Sequence, residues 1–81
     1  MARITIQYCA VWHYTDRAVS LAGDLLREFE HEIQSIELLP SEGGRFEVSL
    51  NGSLLFSKKQ VGRHAEPGEI LDLFRKMIKP K

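Results

Sequence analysis

The pair Asn51-Gly52 lies between two alternating segments, Arg45-Phe46-Glu47-Val48-Ser49-Leu50 and Ser53-Leu54-Leu55-Phe56-Ser57, and constrains the fold more than any other feature. A two-residue type I′ turn needs φ > 0 at both central positions, which asparagine and glycine tolerate, so the two segments form an antiparallel hairpin. A straight register sets Val48 opposite Leu55 and Glu47 opposite Phe56. One face of the hairpin then carries Phe46, Val48, Leu50 and Leu55, whereas the other mixes Glu47 and Ser49 with Leu54 and Phe56.

Upstream, Arg3-Ile4-Thr5-Ile6-Gln7-Tyr8 puts Ile4, Ile6 and Tyr8 on one side and polar residues on the other, the pattern of a strand apolar on one face. Thr15 or Asp16 offers an N-cap to a stretch in which Ala18, Leu21, Ala22, Leu25 and Phe29 recur at helical spacing, with Leu26 at the edge. The spacing predicts a helix from about Asp16 to about His31. Ile33-Gln34-Ser35-Ile36-Glu37-Leu38-Leu39 reads as a second strand, stopped by Pro40-Ser41-Glu42-Gly43-Gly44. A strand, a helix and a strand joined by short links form a right-handed βαβ unit with parallel strands.

After the hairpin, a loop from Lys58 to Glu66 leads to a last helix that opens near Pro67 and Glu69. Its apolar side is Ile70, Leu71, Leu73, Phe74, Met77 and Ile78, and Pro80 ends it. The order β-α-β-β-β-α implies one α/β domain over residues 1–81, an α+β sandwich with a four-stranded mixed sheet and two helices on one face. On that plan Leu54 and Phe56 lie on the uncovered face beside Thr5, Gln7, Glu47 and Ser49, a surface suited to weak homo-oligomers or a partner.

A chain of 81 residues, 43% hydrophobic and 27% charged, has room for one small core. The single cysteine, Cys9, excludes an internal disulfide and a multi-thiolate zinc site, and such cysteine poverty fits a reducing cytosol. The opening MARITIQYCAVW lacks the continuous apolar core of a signal peptide, and no run approaches the ~20 residues of a spanning helix, so a cytoplasmic location away from membranes is expected. Eleven basic residues balance eleven acidic ones, which argues against a dedicated nucleic-acid or membrane-surface binder. From Asp16 to Glu42 seven acids face two arginines, and from Ser57 onward seven bases face three acids; solvated faces of two helices account for this polarity.

Cys9 follows the first strand and precedes the first helix by a short loop, at the carboxyl end of a parallel strand, where open α/β sheets form ligand crevices. The positive end of that helix, Arg17 in its first turn and nearby His13 would raise the thiolate fraction, and Asp16 would oppose it. Two readings stand side by side: an accessible, reactive thiol, and a small buried hydrophobe. A metal centre built from Cys9, His13, His31 and His64 matches no zinc spacing, so these histidines are expected in solvent. A Cys-His hydrolase would need a base and an oxyanion site on a larger scaffold. Gly43-Gly44 precedes a strand rather than a helix and reads as a turn, not a phosphate cradle.

The residues Ile6-Gln7-Tyr8-Cys9, Tyr14 with Arg17-Ala18, Gly43-Gly44-Arg45-Phe46-Glu47-Val48, and Asn51-Gly52-Ser53-Leu54-Leu55-Phe56-Ser57-Lys58-Lys59 with Gly62 occur in an order that resembles the selenoprotein W-like family. The resemblance runs over nearly the whole chain and implies a thioredoxin-like fold. It also implies thiol redox chemistry linked to glutathione or thioredoxin. In that family the first strand ends in a Cys-x-x-Cys or Cys-x-x-selenocysteine pair, and Cys9 falls on the first position. Trp12 falls on the second, where it cannot form an internal disulfide or selenenylsulfide. The selenocysteine codon UGA is one base from the Trp codon UGG, so Trp12 marks either an altered or differently decoded codon or divergence to an aromatic that covers Cys9. Arg63-His64-Ala65 after Gly62 departs from relatives, which often carry an aromatic followed by proline near the active-site rim.

The leading expectation is a single-cysteine oxidoreductase in which Cys9 attacks a disulfide or hydroperoxide and an external thiol resolves the product. No bound cofactor is expected, glutathione would serve as co-substrate, and the partners would be glutathione or a thiol or disulfide protein. The rival is a redox-inactive binding module that keeps the fold and uses the Cys9–Trp12 edge for a partner.

Overall fold

The computed structural model describes residues 1–78. Its elements are β1 (Ala2–Cys9), α1 (Thr15–Phe29), a 3₁₀ turn (Glu30–Glu32), β2 (Ile33–Ser41), β3 (Phe46–Leu50), β4 (Ser53–Ser57), α2 (Lys58–Val61) and α3 (Glu69–Ile78). The strands form one mixed sheet in the order β2-β1-β3-β4, with β1 and β2 parallel and the other two pairs antiparallel. Pro80, expected to end the last helix, lies outside the described residues.

Alternation in β1 turns Ala2, Ile4, Ile6 and Tyr8 into the core, where Ile4, Ile6 and Tyr8 pair with the buried Leu50, Val48 and Phe46 of β3. Onto this face α1 lays Ala18, Leu25 and Phe29, and α3 lays Ile70 and Phe74. The helices meet through Phe29 and Phe74, edge to face with ring centroids 4.8 Å apart. Arg75 caps that contact, its guanidinium 5.4 Å above the Phe29 ring and 2.7 Å from Glu28 Oε1. Both long helices therefore share one side of the sheet. Among the described residues no helix is long and apolar enough to cross a membrane.

The hairpin departs from the straight register. Asn51 (φ 52°) and Gly52 (φ 88°) make the expected turn, and Leu50 faces Ser53 and Ser49 faces Leu54. The register then slips, so that Val48 faces Phe56 and Glu47 faces Ser57, with Leu55 as the extra residue of a bulge. Phe56 moves to the core side and is 4% exposed, while Leu54 is 46% exposed. The expectation that Leu54 and Phe56 lie together on the uncovered face is thus corrected for Phe56. Burying the larger aromatic surface favours the slipped register over the straight one.

Three boundaries also differ. β2 continues through Pro40 to Ser41, because β2 is an edge strand and needs no donor there. α1 ends at Phe29, whose φ of −129° leaves the helical region and tightens the chain into the 3₁₀ turn that feeds β2. The segment after Ser57, expected to be loop, forms the short α2. Ser57 Oγ accepts the Gln60 N–H at 3.4 Å to start it, and Gly62 ends it with φ 86°.

Candidate functional site

β1 carries Cys9 to the carboxyl end of the parallel pair, where it is fully buried yet stands outside the cluster of core side chains. The chain folds back at once. His13 N–H donates to Ala10 O at 3.1 Å and Tyr14 N–H to Cys9 O at 3.0 Å. His13 takes φ 63°, a left-handed conformation that costs a bulky residue roughly 1–3 kcal/mol and persists only where neighbours enforce it. Tyr14, rather than Thr15 or Asp16, is the N-cap of α1, without a side-chain capping bond, and Asp16 lies in the first turn. Within this loop the Trp12 N–H donates to Cys9 Sγ at 3.3 Å. The structure therefore brings Cys9 and Trp12 together on one turn, and it closes the loop over a thiol that one sequence reading left accessible.

The indole of Trp12 is 58% exposed and leans on the Gly43-Gly44 turn. A Cβ at Gly44 would stand 2.7 Å from Trp12 Cζ3 and 3.1 Å from Cε3, and the glycine has φ +69°. From Trp12 an aromatic series runs inward along edge-to-face contacts, with 6.2 Å between the Trp12 and Tyr14 centroids and 4.7 Å between Tyr14 and His64. His64 also meets Phe46 at 6.5 Å. Burial, followed by the positive charges of Arg17 and Lys58, pushes the His64 imidazole below its usual range and favours the neutral ring. The structure thus places His64 half-buried against aromatics instead of in solvent, while His13 and His31 are exposed.

Beside His64 opens a cleft of about 220 Å³ lined by Arg17, Asp24, Phe46, His64, Pro67 and Leu71 among others. Cys9 does not line it. Its wall is the segment before α3, which Arg63 holds through a two-pronged ion pair to Glu69, at 2.8 and 3.1 Å. The Arg63 hydrogen bond, and then the Glu66 N–H, pull the Glu69 carboxyl down to about 2. Sequence reasoning named Tyr14 and His64 but did not bring them together, and it missed the Arg63–Glu69 clasp. The departure at Arg63-His64-Ala65 was the available signal. Arg17, expected near the thiol, lines this cleft. Among the described residues no three His, Cys, Asp or Glu side chains gather as a metal-binding set.

The Rdx family model matches residues 3–76 of the chain. A solved structure of a selenoprotein W-related protein from Vibrio cholerae superimposes with a TM-score of 0.91 at 35% sequence identity, covering 96% of this chain and 98% of that one. A protein from Bordetella parapertussis does so with a TM-score of 0.90 at 30% identity, covering 95% and 98%. No curated protein sequence matches.

Proposed function

The chain belongs to the Rdx family, which is thioredoxin-like and linked to redox, and from that premise we propose that it is a thiol-based redox protein with Cys9 as its sole nucleophile. The observation that carries this reading is the Trp12 N–H directed at Cys9 Sγ, at the carboxyl end of β1 and just ahead of α1. That donor orients the sulfur at the head of α1, and thiol exchange proceeds through a sulfur held in this way. In the proposed step the Cys9 thiolate attacks one sulfur of a disulfide, a new mixed disulfide forms, and the other sulfur leaves as a thiolate that takes a proton from water. An external thiol such as glutathione then attacks the mixed disulfide and returns Cys9 to its reduced form. With Trp12 at the family's second redox position, no internal thiol competes with that external one. A reducing cytosol supplies such thiols and is the compartment this chemistry fits.

Because Cys9 is fully buried, exchange requires the loop from Ala10 to Tyr14 to open locally. That burial, with Trp12 standing exposed above it, favours a second reading in which the same edge binds a partner without redox chemistry. Incubating the folded protein with oxidised glutathione separates the two. The redox reading expects one glutathione adduct by mass spectrometry, removed by excess thiol and absent from Cys9→Ser. Adduct formation only under denaturing conditions would leave the binding reading.

A further inference from the structure

Ser41, the last residue of β2, is registered with Cys9, and Phe46, the first residue of β3, pairs with Tyr8. Because β1 lies between β2 and β3, the segment 42–45 must cross the end of β1 where Cys9 stops. Arg45 ends that crossing. Its Nη1 donates to Ser41 Oγ at 3.3 Å, so the guanidinium is held at the residue registered with Cys9 on the neighbouring strand. Its Nε is buried and has no hydrogen-bond partner, unlike every other buried side-chain nitrogen or oxygen among the described residues. The nearest acid along the strand, Glu47, is engaged by the Ser57 hydroxyl at 3.2 Å.

Arg45 as a whole is partly buried and its Nη1 is engaged by Ser41, so the enclosed Nε–H alone lacks an acceptor, and a cationic group left incomplete in this way favours a nearby anion. We propose that Arg45 is a positioning residue that makes the Cys9 site selective for reaction partners carrying a carboxylate close to the reacting atom. The inference rests on the proposed reactivity of Cys9 and adds the substrate class, an anionic disulfide. The guanidinium, anchored at Ser41, draws the carboxylate toward the end of β1 where the sulfur lies.

Iodoacetate and iodoacetamide test this, since both transfer a two-carbon group to sulfur with loss of iodide and differ in the carboxylate. Arg45→Gln is expected to lower the iodoacetate-to-iodoacetamide rate ratio at Cys9 on the order of tenfold, the effect of one nearby charge at intermediate dielectric. Arg45→Lys should restore most of the ratio, and Ser41→Ala should lower it by a smaller factor because the charge remains but loses its anchor. Raising salt should slow the wild-type reaction with iodoacetate selectively, a measurement that needs no variant. A ratio unchanged in folded Arg45→Gln, or a salt-independent wild-type ratio should that variant not fold, overturns the assignment. The ratio reads the charge around the sulfur, whereas the glutathione adduct reads disulfide exchange, so each can fail without the other.

Discussion

The Trp12 indole occupies the space that a side chain at Gly44 would need, with ring carbon Cζ3 2.7 Å from the position of a Cβ. The contact ties the loop after β1 to the crossing between β2 and β3, and it holds only while residue 44 is glycine. Gly44→Ala would both displace the ring and force alanine into φ +69°. The expected loss is about 1–3 kcal/mol in denaturant unfolding, with a red shift of Trp12 emission as the ring leaves its seat. An unchanged spectrum would show that the indole does not rest there in solution.

The bulge at Leu55 makes neighbouring apolar residues unequal. Phe56→Ala should cost roughly 3–5 kcal/mol, and Leu54→Ala less than about 1 kcal/mol. Similar losses for the two would favour the straight register, in which both share a face.

Acid should weaken the segment between α2 and α3 in two stages. His64 has a folded pKa below 6.5, so its neutral form is favoured by folding, and stability falls as pH drops from about 6.5 through the lowered value. Glu69 is depressed from 4.5 to about 2, so its contribution is present above 4.5 and is lost as pH falls towards 2. Denaturant midpoints across pH should lose the upper slope in His64→Gln and the lower slope in Glu69→Gln. Parallel profiles for wild type and Glu69→Gln below pH 4.5 would mean that the clasp with Arg63 does not form.

The Trp12 amide lies 3.3 Å from Cys9 Sγ, so a side chain at position 12 starts close to the sulfur. Trp12→Cys is expected to give an internal disulfide when treated with oxidised glutathione, provided the loop sets the Cα atoms within the ~4.4–6.8 Å a disulfide spans. Mass spectrometry would show the loss of two hydrogens and protection of both thiols from alkylation. Two freely alkylated thiols in the folded variant would exclude the redox geometry implied for this loop.

How far the sequence reached depended on the range of the interaction concerned. Ala18, Leu25 and Phe29 were legible as a buried stripe because helical periodicity is local, and Asn51-Gly52 because the turn demands two positive φ values. The place of Phe56 was not legible. Alternation alone cannot choose between registers one residue apart, and that choice is made by the core beneath Val48. The position of Cys9 at a strand end was likewise readable, but its closure depends on His13 in a left-handed conformation and on Gly44, far away along the chain. Tyr14 against His64 is a contact of the same long-range kind.

Pro40 sits in the outer strand of the sheet, one residue before Ser41, whose carbonyl accepts the N–H of Ala10, the residue just after β1, at 2.9 Å. Backbone polarity alternates along a strand, so if Ser41 directs its polar groups inward, Pro40 directs its nitrogen outward and has no hydrogen there to offer. At that position the border strand therefore offers no outward donor to another chain. A chain that approaches this border finds one hydrogen bond missing beside Cys9, and the missing donor discourages edge-to-edge stacking at that end of the sheet.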